Sequence, residues 1–183
     1  MKEKNYLALF AKSFNWAGFF LPKNIYHDCS KLYTFCRVLD DLVDEKESLE
    51  FKTERFNKIR HFFNKAYEQD DENSKLIYQY EHGTIINEMI VIADNNSIKK
   101  IILDDLIEGV GSDLKTKVHL RSVKDLLVYS YRVAGTVGLM MAKILNVNDT
   151  RCLKGAIDLG IAMQLTNIAR DVIEDKKMKR QYI

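Results

Sequence analysis

Leu32-Tyr33-Thr34-Phe35-Cys36-Arg37-Val38-Leu39-Asp40-Asp41-Leu42-Val43-Asp44 is the stretch on which the fold turns. Cys29, Leu32, Tyr33, Cys36 and Leu39 recur at helical spacing, so Ile25 to Val43 reads as an amphipathic helix. Upstream, Leu21-Pro22 marks its start, because a proline in the first turn loses an N–H that has no helical partner there. Downstream, helices are expected over Phe51–Tyr67, Lys75–Ala93 and Ile98–Val110. A fifth is expected from Ser122 to Leu145 and a sixth from Thr150 to about Lys176. Asp94-Asn95-Asn96 and Asn146–Asp149 supply turn chemistry between them. Ser122 with Asp125 three residues on resembles a capping box with Asp in place of Glu. No alternating strand pattern of useful length and no Gly/Ser linker interrupts this series. The expectation is a single all-α domain over residues 1–183, with sequential helices mostly antiparallel.

Bulk composition agrees. One proline and eight glycines in 183 residues leave few breakers, which favours long helices. Lys+Arg 28 against Asp+Glu 26 gives a net charge of +2, too balanced for a nucleic-acid surface. The apolar run Tyr6–Ala11 is broken by Lys12 and is too short for a signal peptide core or a membrane span. Cys29, Cys36 and Cys152 are odd in number and lack C-x-x-C spacing, so no disulfide framework or zinc site is read and a cytoplasmic setting is expected.

Two helices carry the same acidic spacing: Asp40-Asp41-Leu42-Val43-Asp44, and Asp171-Val172-Ile173-Glu174-Asp175. Residues four apart share a helix face, with β-carbons roughly 6 Å apart. Each motif therefore sets two carboxylates side by side, at a cost that a hard divalent cation offsets. Asp104 with Glu108 has the same spacing and reads as a solvated face, so the spacing alone is weak. Its company strengthens it. Tyr33 and Arg37 precede Asp40 on one stripe, while Gln164, Asn167, Asp171 and Asp175 fall at steps of three, four and four. On the fifth helix Tyr129, Val133 and Val137 form a four-residue stripe beside a ridge of Ala134, Gly138 and Ala142. On pattern alone, both read more readily as close helix packing than as a cavity wall.

These segments resemble the squalene/phytoene synthase family. The resemblance rests on Lys12-Ser13-Phe14, Leu21-Pro22, the Leu32–Asp44 stretch, Tyr129–Gly138 (Tyr-Ser-Tyr-Arg-Val-Ala-Gly-Thr-Val-Gly), and Gln164–Asp175 (Gln-Leu-Thr-Asn-Ile-Ala-Arg-Asp-Val-Ile-Glu-Asp). It implies an isoprenoid-synthase-type helical bundle around a central cavity, with the acidic motifs facing each other across its mouth. It further implies Mg²⁺, or Mn²⁺ in its place, bound by Asp40, Asp44, Asp171 and Asp175 with help from Asn167. Ser13 and Arg37 would meet diphosphate, Tyr33 would line the reactive end of the cavity, Phe14 and Arg170 would bind substrate, and Tyr129 and Gln164 would sit close to the ionising centre. Under the resemblance, Tyr129, Val133 and Val137 become the lining for a prenyl tail.

The implied reaction joins two isoprenoid diphosphates head to head through a cyclopropyl intermediate, with two geranylgeranyl diphosphates giving phytoene. Squalene or dehydrosqualene synthesis from farnesyl diphosphate is the alternative, and NADPH enters only in a squalene synthase. A non-catalytic assembly-factor relative is a further alternative, to which the intact aspartates are opposed. Lipid-like substrates imply peripheral contact with the inner membrane. Phe10 and Ala11 stand where many relatives carry polar residues. Family domains are longer, so a C-terminally truncated piece, inactive alone, is expected. His27, His61, His82 and His119 read as surface or structural residues, and the run Lys176–Arg180 as mostly solvated.

Overall fold

The structure, a computed structural model, describes residues 16–68 and 80–183. Helix α1 spans Lys23–Asp44 and buries Cys29, Leu32, Phe35, Leu39, Leu42 and Val43. Pro22 is its N-cap, in extended conformation just before the first helical residue. Helix α2 (Leu49–Tyr67) starts two residues earlier than the apolar pattern indicates, because Ser48 accepts a hydrogen bond from the Phe51 N–H. Such a cap satisfies an otherwise orphaned donor. Helix α3 (Gly83–Asn95) corrects the expected start at Lys75. Tyr80, Glu81 and His82 form a turn, with the Gly83 N–H donating to the Tyr80 carbonyl at 3.0 Å, and residues 75–79 lie outside the described ones. The Tyr80 ring stacks on Phe62 at 4.6 Å between centroids, tying that turn to α2. Helix α4 is Lys100–Gly111.

The second half begins with strand β1 (Val118–His119) and α5 (Val123–Ser130). Ser122 accepts from the Asp125 N–H at 3.1 Å, and Asp125 accepts from the Arg121 N–H at 3.2 Å. The expected capping box therefore closes on the residue before the cap. The predicted long fifth helix is instead α5, a π-helical turn (Tyr131–Gly135) and α6 (Thr136–Ile144), where the Thr136 N–H reaches back five residues to the Tyr131 carbonyl. The expected sixth helix is likewise two: α7 (Thr150–Arg170) and α8 (Val172–Lys177), separated at Asp171 by backbone angles of φ −101°, ψ 16°. A two-residue strand β2 (Arg180–Gln181) pairs in parallel with β1, Val118 opposite Arg180. Strands this short leave no alternation to read.

The main core gathers α1, α2, α3 and α4 with Met140 and Ile144 of α6. Phe35, Phe56 and Phe63 are fully buried in it; burying each such side chain stabilises by about 1.5–3 kcal/mol. Lys31 on α1 meets Glu88 on α3 at 2.8 Å, and Arg55 on α2 meets Glu45 after α1 at 2.5 Å. Helix α7 lies against α6 and the π turn. A β-carbon at Gly138 would stand 2.2 Å from the Ala156 carbonyl oxygen, and one at Gly160 2.3 Å from that of Ala134. The small-residue ridge is thus a close helix crossing, in which glycine lets two backbones touch.

Candidate active site

Asp40 and Asp44 are on the last two turns of α1, aimed by their buried neighbours Leu39, Leu42 and Val43. Across from them, Gln164 and Asn167 come from α7, Asp171 from its end, and Glu174 and Asp175 from α8. All seven line one cavity of about 470 Å³, a volume within the usual range for small-molecule sites. The Asp175 N–H still donates to the Asp171 carbonyl at 2.9 Å. The second motif thus keeps its four-residue reach across the break. Val110, Tyr129, Val133, Ile168 and Tyr182 give the cavity an apolar and aromatic wall.

Charge dominates the rest of the lining. The lining carries six carboxylates (Asp40, Asp44, Asp113, Asp171, Glu174 and Asp175) against the single guanidinium of Arg180. Asp40 is hemmed in by protein on most sides yet keeps an exposed face along the cavity. Removal from solvent pushes its carboxyl up to about 7, repulsion from Asp44 adds to this, and Arg37 partly opposes it. Asp175 is also raised, first by desolvation, against the pull of Arg180, and then by repulsion from Asp171, Asp113 and Asp44. The carboxylates of the two walls therefore feel one another. Among the described residues, no three His, Cys, Asp or Glu side chains converge closely enough to hold an ion by themselves.

Several residues at this site escaped the sequence reading. Asp113, after α4, accepts from the hydroxyls of Tyr129 and Tyr182, each at 2.8 Å. The two tyrosine rings stack at 4.8 Å. The other Asp113 oxygen is buried without a hydrogen-bond partner. Burial raises the Asp113 carboxyl, with Arg180 and the two tyrosine hydroxyls working against it. Arg180 pairs with Asp44 at 2.8 Å with its side chain only 11% exposed. That corrects the reading of the Lys176–Arg180 run as solvated: β2 turns its last arginine inward. Lone residues on two-residue strands carry no periodic signal.

Four expected site residues do not line the cavity. Arg37 pairs with Asp41 at 2.7 Å, and the cavity reaches along α1 only as far as Asp40. Tyr33 lies a turn further back, with its phenol raised by burial. Arg170 folds onto Asp171, donating to both carboxylate oxygens at 2.6 and 2.5 Å; those bonds hold the Asp171 carboxyl below its ordinary range. Val137 packs on the main core, as does Val133, which sits within the π turn and also reaches the cavity. Ser13 and Phe14 lie outside the described residues.

The sequence pattern of squalene/phytoene synthases matches residues 7–183. The 15-cis-phytoene synthase of Paracoccus sp. is 34% identical over 179 residues, covering 94% of this chain and 56% of that protein. The 15-cis-phytoene synthase of Pantoea ananas is 30% identical over 185 residues, covering 97% and 57%. A crystal structure of a dehydrosqualene synthase with bound ligand superposes with a TM-score of 0.72 at 30% identity, covering 96% of this chain and 57% of that one. The chain spans little more than half the length of the relatives it matches.

Proposed function

Because the chain belongs to the squalene/phytoene synthase family, we propose that its cavity serves the head-to-head condensation of two isoprenoid diphosphates. The observation that carries this reading is the shared lining: both acidic motifs border one cavity whose other wall is apolar and aromatic. An allylic diphosphate has the same two-part character.

Six carboxylates facing one arginine make a site that repels a bare diphosphate and favours one accompanied by cations. The donor set fits Mg²⁺, a hard ion that binds one or two carboxylates together with substrate phosphates. No cage built wholly from protein is then required. Asp40, Asp44, Asp171 and Asp175 would hold it, with Asn167 beside them, and when bound it supplies positive charge against the departing diphosphate. Asn167 and Gln164 donate amide hydrogens toward phosphate oxygens. Arg170, by pairing with Asp171, sets that carboxylate's orientation at the cavity edge. Tyr129 and Tyr182 present stacked rings whose faces stabilise a developing carbocation. Val110, Val133 and Ile168 exclude water from it.

The relatives named as phytoene synthases favour geranylgeranyl diphosphate as substrate and phytoene as product. The dehydrosqualene synthase likeness keeps farnesyl diphosphate as the second reading. Among the described residues no helix is long and apolar enough to cross a membrane. Peripheral contact at the inner membrane suits substrates with prenyl tails.

Titration of this chain with a non-hydrolysable geranylgeranyl diphosphate analogue tests the reading. Binding is expected with Mg²⁺ present and not with chelator. Joined to the unmatched C-terminal portion of the Paracoccus relative, the chain is expected to release diphosphate and form phytoene. Mg²⁺-independent binding, or no binding of either the C15 or the C20 analogue, would remove the reading.

A further inference from the structure

Asp113 stands in the turn that follows α4, and its backbone there is closely held. Its N–H donates to the Val110 carbonyl at 3.2 Å, and its carbonyl accepts from the Lys115 N–H at 2.9 Å. Two residues before it, a β-carbon at Gly111 would stand 2.7 Å from the Phe56 ring, so the turn lies directly on the main core. The side chain borders the cavity. Oδ2 accepts from the Tyr129 and Tyr182 hydroxyls, each at 2.8 Å, and those two phenol oxygens are themselves 3.1 Å apart. Oδ1 is buried with no hydrogen-bond partner. Arg180 makes its ion pair with Asp44, which leaves the two phenols as the hydrogen-bond donors to Asp113 among the described residues.

A charge in this place is costly. A buried acceptor without a partner destabilises the fold, and five other carboxylates line the same cavity. Two phenols seeking an acceptor would be satisfied as well by a neutral oxygen. What the charge adds falls on the tyrosines. A hydrogen bond to a carboxylate is shorter than a neutral one and about twice as strong, and it leaves more electron density in the phenol ring. Tyr129 and Tyr182 stack at 4.8 Å with 23° between their planes, so both members of the pair are enriched together. An electron-rich ring attracts a cation over its face more strongly.

Resting on the reading of this cavity as a prenyl diphosphate site, we propose that Asp113 is a positioning residue that fixes both phenols and strengthens the tyrosine pair's hold on a carbocation. It acts through the rings and is not a metal ligand. Its own geometry suits that part. A carboxylate oxygen in contact with an allylic cation would capture it as an ester. With Oδ2 held by two donors and Oδ1 buried, Asp113 supplies negative charge without forming that bond.

The test compares two analogues of geranylgeranyl diphosphate, each bound with Mg²⁺ present. One carries a protonated amine nitrogen in place of the branched allylic carbon, and the other is its uncharged carbon isostere. The 183-residue chain is expected to prefer the cationic analogue. Asp113→Asn should lower that preference about fivefold while the isostere binds as before. In a Tyr129→Phe/Tyr182→Phe background the same substitution should change the preference by less than about twofold, because the hydroxyls through which it acts are gone. Urea unfolding shows that each variant is folded; should Asp113→Asn not fold, Tyr182→Phe alone must lower the preference. An unchanged preference overturns the proposal, as does equal weakening of both analogues, the sign of a merely structural role. An undiminished drop without the hydroxyls overturns it too, because the charge then acts through space. If the parent chain binds not even the isostere, the reading of the cavity falls and the proposal with it, a result distinct from the other three.

Discussion

Helices α1 and α7 carry the same acidic spelling, and the structure builds it in two different ways. On α1, Asp40 and Asp44 ride an unbroken helix pinned by Leu39, Leu42 and Val43, and desolvation raises Asp40 to about 7. On α7, the motif straddles a break: Asp171 ends one helix, Asp175 rides a six-residue helix with no buried residue, and Arg170 clasps Asp171. The contrast teaches that equal spacing does not mean equal stiffness. The first motif is a rigid rim on one continuous helix, and the second a jaw on a short helix, held by one ion pair and by the β1–β2 pairing that follows it.

The largest expected effect falls on ligand affinity. Asp40→Ala should weaken Mg²⁺-dependent binding of a prenyl diphosphate analogue by about 100-fold, as expected for loss of a charged partner. Asp171→Ala should cost nearer tenfold, because Arg170 already competes for that carboxylate. Titration calorimetry of the two variants checks the order, and a reversed order would break the rim-and-jaw contrast.

Stability sharpens it next. Gly160→Ala forces a β-carbon onto the Ala134 carbonyl and should destabilise by about 2 kcal/mol in urea unfolding. Gly155→Ala, five residues away and facing open space, should stabilise by up to about 1 kcal/mol. Tyr182→Phe removes a hydroxyl bonded to Asp113 and should cost about 1 kcal/mol, loosening β2 and with it the second motif.

The pH dependence comes last, because Asp40 keeps an exposed face and solvent screening discounts the stability its shift carries. An unfolded Asp40 releases its proton near 3.8, the folded one near 7, so the folded state binds the extra proton between those values. Its contribution to stability is therefore full below about pH 4 and lost as pH rises through about 7. Asp40→Asn should melt a few degrees above the parent chain at pH 8, and the gap should close by pH 4. A gap that widens toward acid would mean that Asp40 is not desolvated.

Much of this was legible in the residues. The apolar periodicity of α1 and α4, the Ser122 cap and the all-helical class come directly from local pattern. The grouping of Asp40, Asp44, Asp171 and Asp175 is implied by the family resemblance rather than by local pattern, and the structure places the four on one cavity. What escaped depends on tertiary context. The π turn at Tyr131–Gly135 is invisible to a count of apolar residues, and Val137 just beyond it packs on the core without lining the cavity. Asp113 lies in a loop, and Arg180 and Tyr182 follow a basic run that looks solvated. Their burial exists only because β2 pairs with β1, and no local propensity encodes a partner sixty residues away.

One double-mutant cycle bears most directly on the central claim that both motifs act on a single bound ligand. Mg²⁺-dependent binding of a geranylgeranyl diphosphate analogue would be measured for Asp40→Asn, Asp175→Asn and the pair. Side chains serving one ligand are expected to couple, with the double variant departing from the sum of the singles by more than about 0.5 kcal/mol. Strict additivity would show two independent acidic faces and contradict the account.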